Sequence, residues 1–174
     1  MIRSQLTDLP EYFDRYIHKT DDVDVLTALQ TSVTELENAP IEKWKALGDR
    51  VYAEGKWTVK DILQHLIDTE RVFAYRATAF ARGDKEVKPF DEEMYAKNAK
   101  ATQRSLEDLL EESIHLRKST IYLYQSFNEE MLNRTGKSFK GEYSVHAIGY
   151  IFAGHQRWHF GILEERYFPM LEIA

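Results

Sequence analysis

Residues 144–168 read SVHAIGYIFAGHQRWHFGILEERYF. No proline stands in this stretch, which ends before Pro169, and apolar residues recur at three- and four-residue spacing. On a wheel of about 100° per residue with Ile148 as origin, Phe152 falls near 40° and Leu163 near 60°. His155 and His159 fall near −20° and 20°, inside the same apolar stripe. The stretch therefore predicts a long helix that turns two imidazoles toward a core. A helix with such a face needs other helices to cover it.

Three more segments can do so. The first runs from Asp22 to Glu37, carries Leu26, Leu29, Val33 and Leu36, and is bounded by Pro40. The second opens at KWTVKD, where Thr58 caps and Asp61 takes the capping-box position. Ile62, Leu66, Phe73 and Phe80 form its stripe, and Gly83 closes it. The third opens at SLED and carries Leu106, Leu109, Leu110, Ile114, Ile121 and Tyr124 as far as Asn128. A longer connection, residues 83–101, joins the second to the third, and NRTGKSFKGEYS leads into the last. Within the latter, SFKGEY can pair briefly but cannot build a sheet. A short extra helix is expected around LPEYFDRYI. The pattern predicts an all-α protein, a four-helix bundle with one long crossover loop, as a single domain over residues 1–174.

The bulk numbers narrow the function. A chain of 174 residues can bury a substantial core, roughly 70% of its unfolded surface. The absence of cysteine excludes disulfides, thiolate zinc knuckles and a cysteine nucleophile, and fits a reducing cytosol. A net charge of −6 without any Lys/Arg run argues against nucleic acid as a partner. The first residues, MIRSQLTDLPEYFDRY, hold no apolar signal region, and no apolar run approaches the ~20 residues of a membrane span. The expectation is a cytoplasmic protein with a small-molecule substrate and no membrane partner.

Two buried imidazoles need two sets of hydrogen-bond partners or must stay neutral at a cost. One helical turn, about 5.4 Å, also lets both rings reach one ion. The H-x-x-x-H spacing leaves both possibilities open. It is not the H-E-x-x-H of zinc proteases, since Gln156 stands where the base would be. His65 lies about 60° from Ile62 and 40° from Thr69, at the margin of the second stripe, and is the credible third ligand. His115 falls about 140° from Leu110 and reads as solvated; His146 falls about 160° from Ile148, off the apolar face. His18 receives no assignment. Three neutral nitrogens from two helices would leave an ion with open positions, the catalytic pattern. Glu70 faces partly inward, to pair with an arginine such as Arg76 or Arg166 or to orient a ligand histidine. Asp68 is expected at the surface or between helices.

Taken in order, YAEGKWTVKDILQHLIDTE, KPFDEEMYA and YSVHAIGYIFAGHQRWHFGILEERY resemble the DinB/YfiT superfamily over about residues 20–168. The resemblance implies a metal-binding four-helix bundle, with a divalent ion, zinc or nickel, held by three histidines. Those positions match His65, His155 and His159. It also implies a homodimer and, in some members, expression as part of a stress response. Its activities include metal-dependent hydrolysis and the transfer of low-molecular-weight thiols such as bacillithiol, mycothiol or glutathione onto electrophiles. Thiol S-transfer is the leading expectation. Hydrolysis, with Glu70 or Asp91 handling protons, and a metal-binding protein without turnover are the alternatives. Arg76 and Arg157 are candidates to hold a cofactor's carboxylates.

Overall fold

The computed structural model describes residues 1–7 and 9–172. Its helices, in chain order, are α1 (Asp14–Ile17), α2 (Val25–Glu37), α3 (Ile41–Leu47), α4 (Val59–Ala81), α5 (Glu92–Ala99), α6 (Leu106–Gln125), α7 (Glu129–Leu132) and α8 (Val145–Ile162). Each long helix begins where a short polar side chain satisfies the first free N–H groups. Asp24 accepts from Leu26 and Thr27, Ser105 from Asp108, and Ser144 from Ala147. Thr58 and Asp61 form the full reciprocal capping box at the start of α4.

The long helices form a ring in which α2 packs on α6 and α8, and α4 packs on the same two. The consecutive long helices α2 and α4 therefore sit across one diagonal of the bundle, and α6 and α8 across the other. The connections are structured: α3 lies between α2 and α4, and α5 lies within the long link from α4 to α6. These short helices were not expected from the sequence. At 7, 8 and 4 residues, α3, α5 and α7 span too few turns for a helical period to emerge. The expected brief pairing is a hairpin of β1 (Thr135–Ser138) and β2 (Gly141–Ser144), with Thr135 opposite Ser144. The predicted helix at residues 9–17 is reduced to α1.

Every residue of α8 from Val145 to Gln156 is buried. α2, α4 and α1 surround it, so it has no solvent face over these turns. One apolar cluster holds Phe13, Ile17, Phe73, Phe80 and Ile148; a second holds Trp44, Leu63, Leu109, Leu163 and Tyr167. Along α4 and α8 the polar residues Thr69, Glu70, His155 and Gln156 fall between the segments that feed these clusters, and His65 lies within the α4 segment of the second. Here Arg117 of α6 grips Glu70 of α4 with two bonds of 2.9 Å. It also donates to Ser32 of α2 and, at 3.2 Å, to the Phe152 carbonyl of α8. Thr120 donates to the same carboxylate at 2.7 Å. One arginine thus touches all four long helices. Glu70 is structural, as expected, but its partner is Arg117 rather than Arg76 or Arg166.

Candidate metal centre

The capping box fixes where α4 starts, and His65 follows within its second turn. From α8 come His155 and His159, one turn apart. The three rings meet: Nε2 of His155 lies 3.1 Å from Nε2 of His65 and 3.0 Å from Nε2 of His159. His65 and His155 are buried and His159 is half-buried. Both sequence-predicted histidine pairs, within α8 and between helices, are thus brought to one point.

A neutral ring nitrogen offers one proton or one lone pair, so His155 Nε2 can satisfy only one of its two neighbours. An ion among the three would accept every lone pair. A tetrahedral ion bound at about 2.0–2.1 Å sets its nitrogens about 3.3–3.4 Å apart, close to the separations observed. The donor set therefore fits a divalent ion.

The electrostatics agree with that fit. Burial, then the charge on His159, pushes His65 down to about 3, and burial pushes His159 down to about 4. His155 is held well below the ordinary histidine value by burial first, then by its two imidazole neighbours and Arg117. All three stay neutral near pH 7, the form that ligates a metal. The surroundings hold the rings in place. Trp57 packs on His65 at 4.7 Å and stacks on His159 at 6.4 Å. Tyr16 meets His155 edge-on at 4.8 Å. The Thr69 hydroxyl stands 3.5 Å from His65 Nδ1, at the outer limit of a hydrogen bond.

Gly154 makes the Tyr16 contact possible. A Cβ at that position would lie 1.8 Å from the Tyr16 carbonyl oxygen, so α1 crosses α8 directly over this glycine.

Two clefts open onto the histidines. The larger, about 510 Å³, is lined by His155 with Tyr16, Phe73, Arg76, Phe90 and Ile151. The smaller, about 200 Å³, is lined by His159 with Tyr52, Lys56, Trp57 and Tyr167. Glu93 of α5 borders both. Its neighbour Glu92 also lines the larger cleft and is pushed above the usual carboxylate range by burial, then by the charges of Glu93 and Asp91.

A sequence profile of the DinB superfamily matches residues 5–163. The chain belongs to that superfamily. Among curated proteins no match is found. Among solved structures, YfiT from Bacillus subtilis superimposes with a TM-score of 0.75 at 16% identity, over 95% of this chain and 91% of that one. YfiT is described as a probable metal-dependent hydrolase with an unusual four-helix bundle topology.

Asp91 lines the larger cleft and also caps α5, accepting from Met94 at 3.0 Å. Asp68 is half-buried and accepts from Gln64 at 3.0 Å. His115 is exposed, as expected.

Three expectations change. His146 is buried, stacked on Tyr150 at 5.7 Å, because α8 is covered on all sides and a one-faced wheel does not describe it. Arg157 does not reach the clefts; it binds Glu35 at 2.7 Å, Asp21 at 2.8 Å and the Lys19 carbonyl at 2.9 Å. Glu70 has both oxygens engaged by Arg117 and Thr120, which leaves it no role in moving protons.

The sequence reading missed Trp57, Tyr16, Glu93 and Arg117. Arg117 had a signal: it falls about 20° from Leu110 on the helical wheel, a charge inside an apolar stripe.

Proposed function

We propose that this DinB-superfamily chain is a metal-dependent enzyme that transfers a low-molecular-weight thiol onto a small electrophile. The observation that carries this is the convergence of three Nε2 atoms with one cleft against His155 and another against His159. Hydrolysis needs one organic substrate and water; two clefts at one centre fit two organic reactants. His65, His155 and His159 would hold the ion, zinc or nickel. When bound, such an ion supplies Lewis acidity that keeps a thiol or water deprotonated near neutral pH. The chain holds no cysteine, so the reacting sulfur comes from the cofactor thiol. Trp57 and Tyr16 keep the rings in one orientation and shield them from water. Glu93, at the border of both clefts, would accept the proton that the thiol loses on binding, before the thiolate forms the sulfur–carbon bond and the leaving group departs with its electron pair. The smaller cleft, with Lys56 on its wall, takes the thiol, and the larger takes the electrophile. The family resemblance adds a single-domain homodimer, working in the cytoplasm under stress, to this proposal.

The second reading is hydrolysis at the same centre, favoured by the description of YfiT as a probable metal-dependent hydrolase. The same preparation tests both. Purified protein is expected to carry on the order of one divalent ion per chain, and His155→Ala to lose it. Loaded protein should consume glutathione or bacillithiol in the presence of monochlorobimane at least about a hundredfold faster than chelator-stripped protein. Equal rates with and without metal overturn thiol transfer. Metal-dependent cleavage of an aryl ester without any thiol would support hydrolysis instead.

A further inference from the structure

Arg76 occupies the apolar stripe of α4 between Phe73 and Phe80, and it is 1% exposed. Its Nη1 donates to the Tyr143 hydroxyl at 3.2 Å. Its guanidinium lies 4.4 Å over the Phe73 ring and 5.7 Å from that of Phe90. Nε and Nη2 have no partner among the described residues. The buried carboxylate of the same helix, Glu70, is held by Arg117 instead. A guanidinium stays charged in any protein environment, and burying it is costly unless an anion or several acceptors meet it. The face of Phe73 offsets only part of that cost.

Arg76 also lines the larger cleft, the one that His155 reaches. Nε and Nη2 form one edge of a guanidinium, and this is the edge that Arg117 uses to grip Glu70, with both bonds at 2.9 Å. In Arg76 the same edge is unpartnered among the described residues.

We infer that Arg76 is the anchor for an organic carboxylate, so that the small molecule taken by the larger cleft is an apolar monocarboxylic acid. That edge is closed to a water-sized sphere, so the carboxylate reaches it with a shift of the cleft-lining side chains, its two oxygens then accepting from Nε and Nη2, side-on and bidentate. Phe13, Phe73, Phe90 and Ile151 contact its apolar body. A single cation inside, with Asp91, Glu92 and Glu93 around the same cleft, favours one negative charge over the two of a phosphate monoester. Arg76 follows His65 by eleven residues on α4, about 16 Å along the axis and within about 20° of the same face. The molecule therefore lies along α4, with its carboxylate at one end and its reacting group toward the histidines. The position of the reacting end rests on the metal-centre proposal above; the carboxylate anchor does not.

Isothermal titration of the metal-loaded protein with phenylbutyrate and with its neutral counterpart phenylbutanol tests this. Wild-type protein should bind the acid at least about tenfold tighter than the alcohol. Arg76→Gln should erase that preference while leaving the alcohol's affinity within about a factor of two. If Arg76→Gln does not fold, Arg76→Lys carries the comparison, because a point charge lacks the bidentate edge and should keep only part of the preference. The titrations are repeated on metal-stripped and His155→Ala protein, where the preference should persist. Equal binding of acid and alcohol by wild-type protein overturns the inference, as does full preference in the variants. Loss of the preference on stripping the metal also overturns it, since the acid would then be ligating the ion. Metal analysis of the same samples judges the metal centre separately: an empty centre would sink the function proposed above and leave the Arg76 result standing.

Discussion

His155 is enclosed by two other imidazoles, a tyrosine ring and the helices of the bundle, and its neutrality is what makes the trio a donor set. That neutrality has a stability signature. An unfolded histidine titrates near 6.5, whereas His159 and His65 are pushed down to about 4 and about 3 and His155 is lowered further. Between the two values the unfolded chain binds more protons than the folded one, so stability falls as pH drops below about 6.5. Each ring contributes a slope of at most about 1.4 kcal/mol per pH unit. His146, also lowered by burial and by the N-terminal amine, adds to it. Aspartates held down by hydrogen bonds, such as Asp24, lose their contribution only near or below pH 4, while Glu92 and Asp68, both raised by burial first, act in the opposite direction, so a net fall from 6.5 to 5 reports the histidines. Metal-free protein should therefore show a falling urea midpoint across that window, and His65→Gln should make the fall shallower. A flat midpoint would mean that the trio is not held neutral.

At the scale of the element, α8 is where sequence and structure are most tightly joined. Its Gly154 is required by the backbone of α1 rather than by any turn. Gly154→Ala would drive a methyl group into the Tyr16 carbonyl oxygen, a backbone atom that cannot rotate away. Such overpacking costs about 1–3 kcal/mol, and here it should also lift Tyr16 off His155. Thermal unfolding of Gly154→Ala reads the first effect, and an altered Tyr16 environment in near-ultraviolet circular dichroism or NMR reads the second. An unchanged midpoint would show that α1 is loosely held. The same helix shows why part of the site was legible and part was not. His155 and His159 were found because their spacing and their apolar neighbours are local facts, and His65 because it borders a stripe. His146 was misplaced because no wheel contains the helices that cover its far side. Trp57 and Tyr16 reach the histidines from a loop and from a helix of four residues, and their contacts depend on tertiary packing. The four long helices were legible from period and caps together, while α3, α5 and α7 offered too few turns for a period, although Asp91 caps α5 and Asn128 caps α7.

For the molecule as a whole, the Arg117 network touches every long helix, and it sits beside the histidine trio rather than in it. A cavity of about 10 Å³, at the lower limit of what a single water needs, lies among Glu70, Arg117, Phe152 and His155. The pair is buried, with Arg117 4% and Glu70 6% exposed. Removing one member of such a pair leaves the other charge unpaired, at about 3–5 kcal/mol, whereas replacing both with apolar residues of similar volume is often neutral or stabilising. Arg117→Met alone should therefore destabilise the chain by about that amount. Glu70→Leu combined with Arg117→Met should recover most of the loss. Denaturation of the two variants measures the difference, and metal content distinguishes two roles for the network. If it only holds the bundle together, the double variant keeps both its stability and its metal. If it also fixes the register of α8 against α4, stability returns but metal affinity does not, because the three Nε2 atoms depend on the relative placement of those two helices. A double variant no more stable than Arg117→Met alone would show instead that Ser32, Thr120 and the Phe152 carbonyl, left without the arginine, carry the cost.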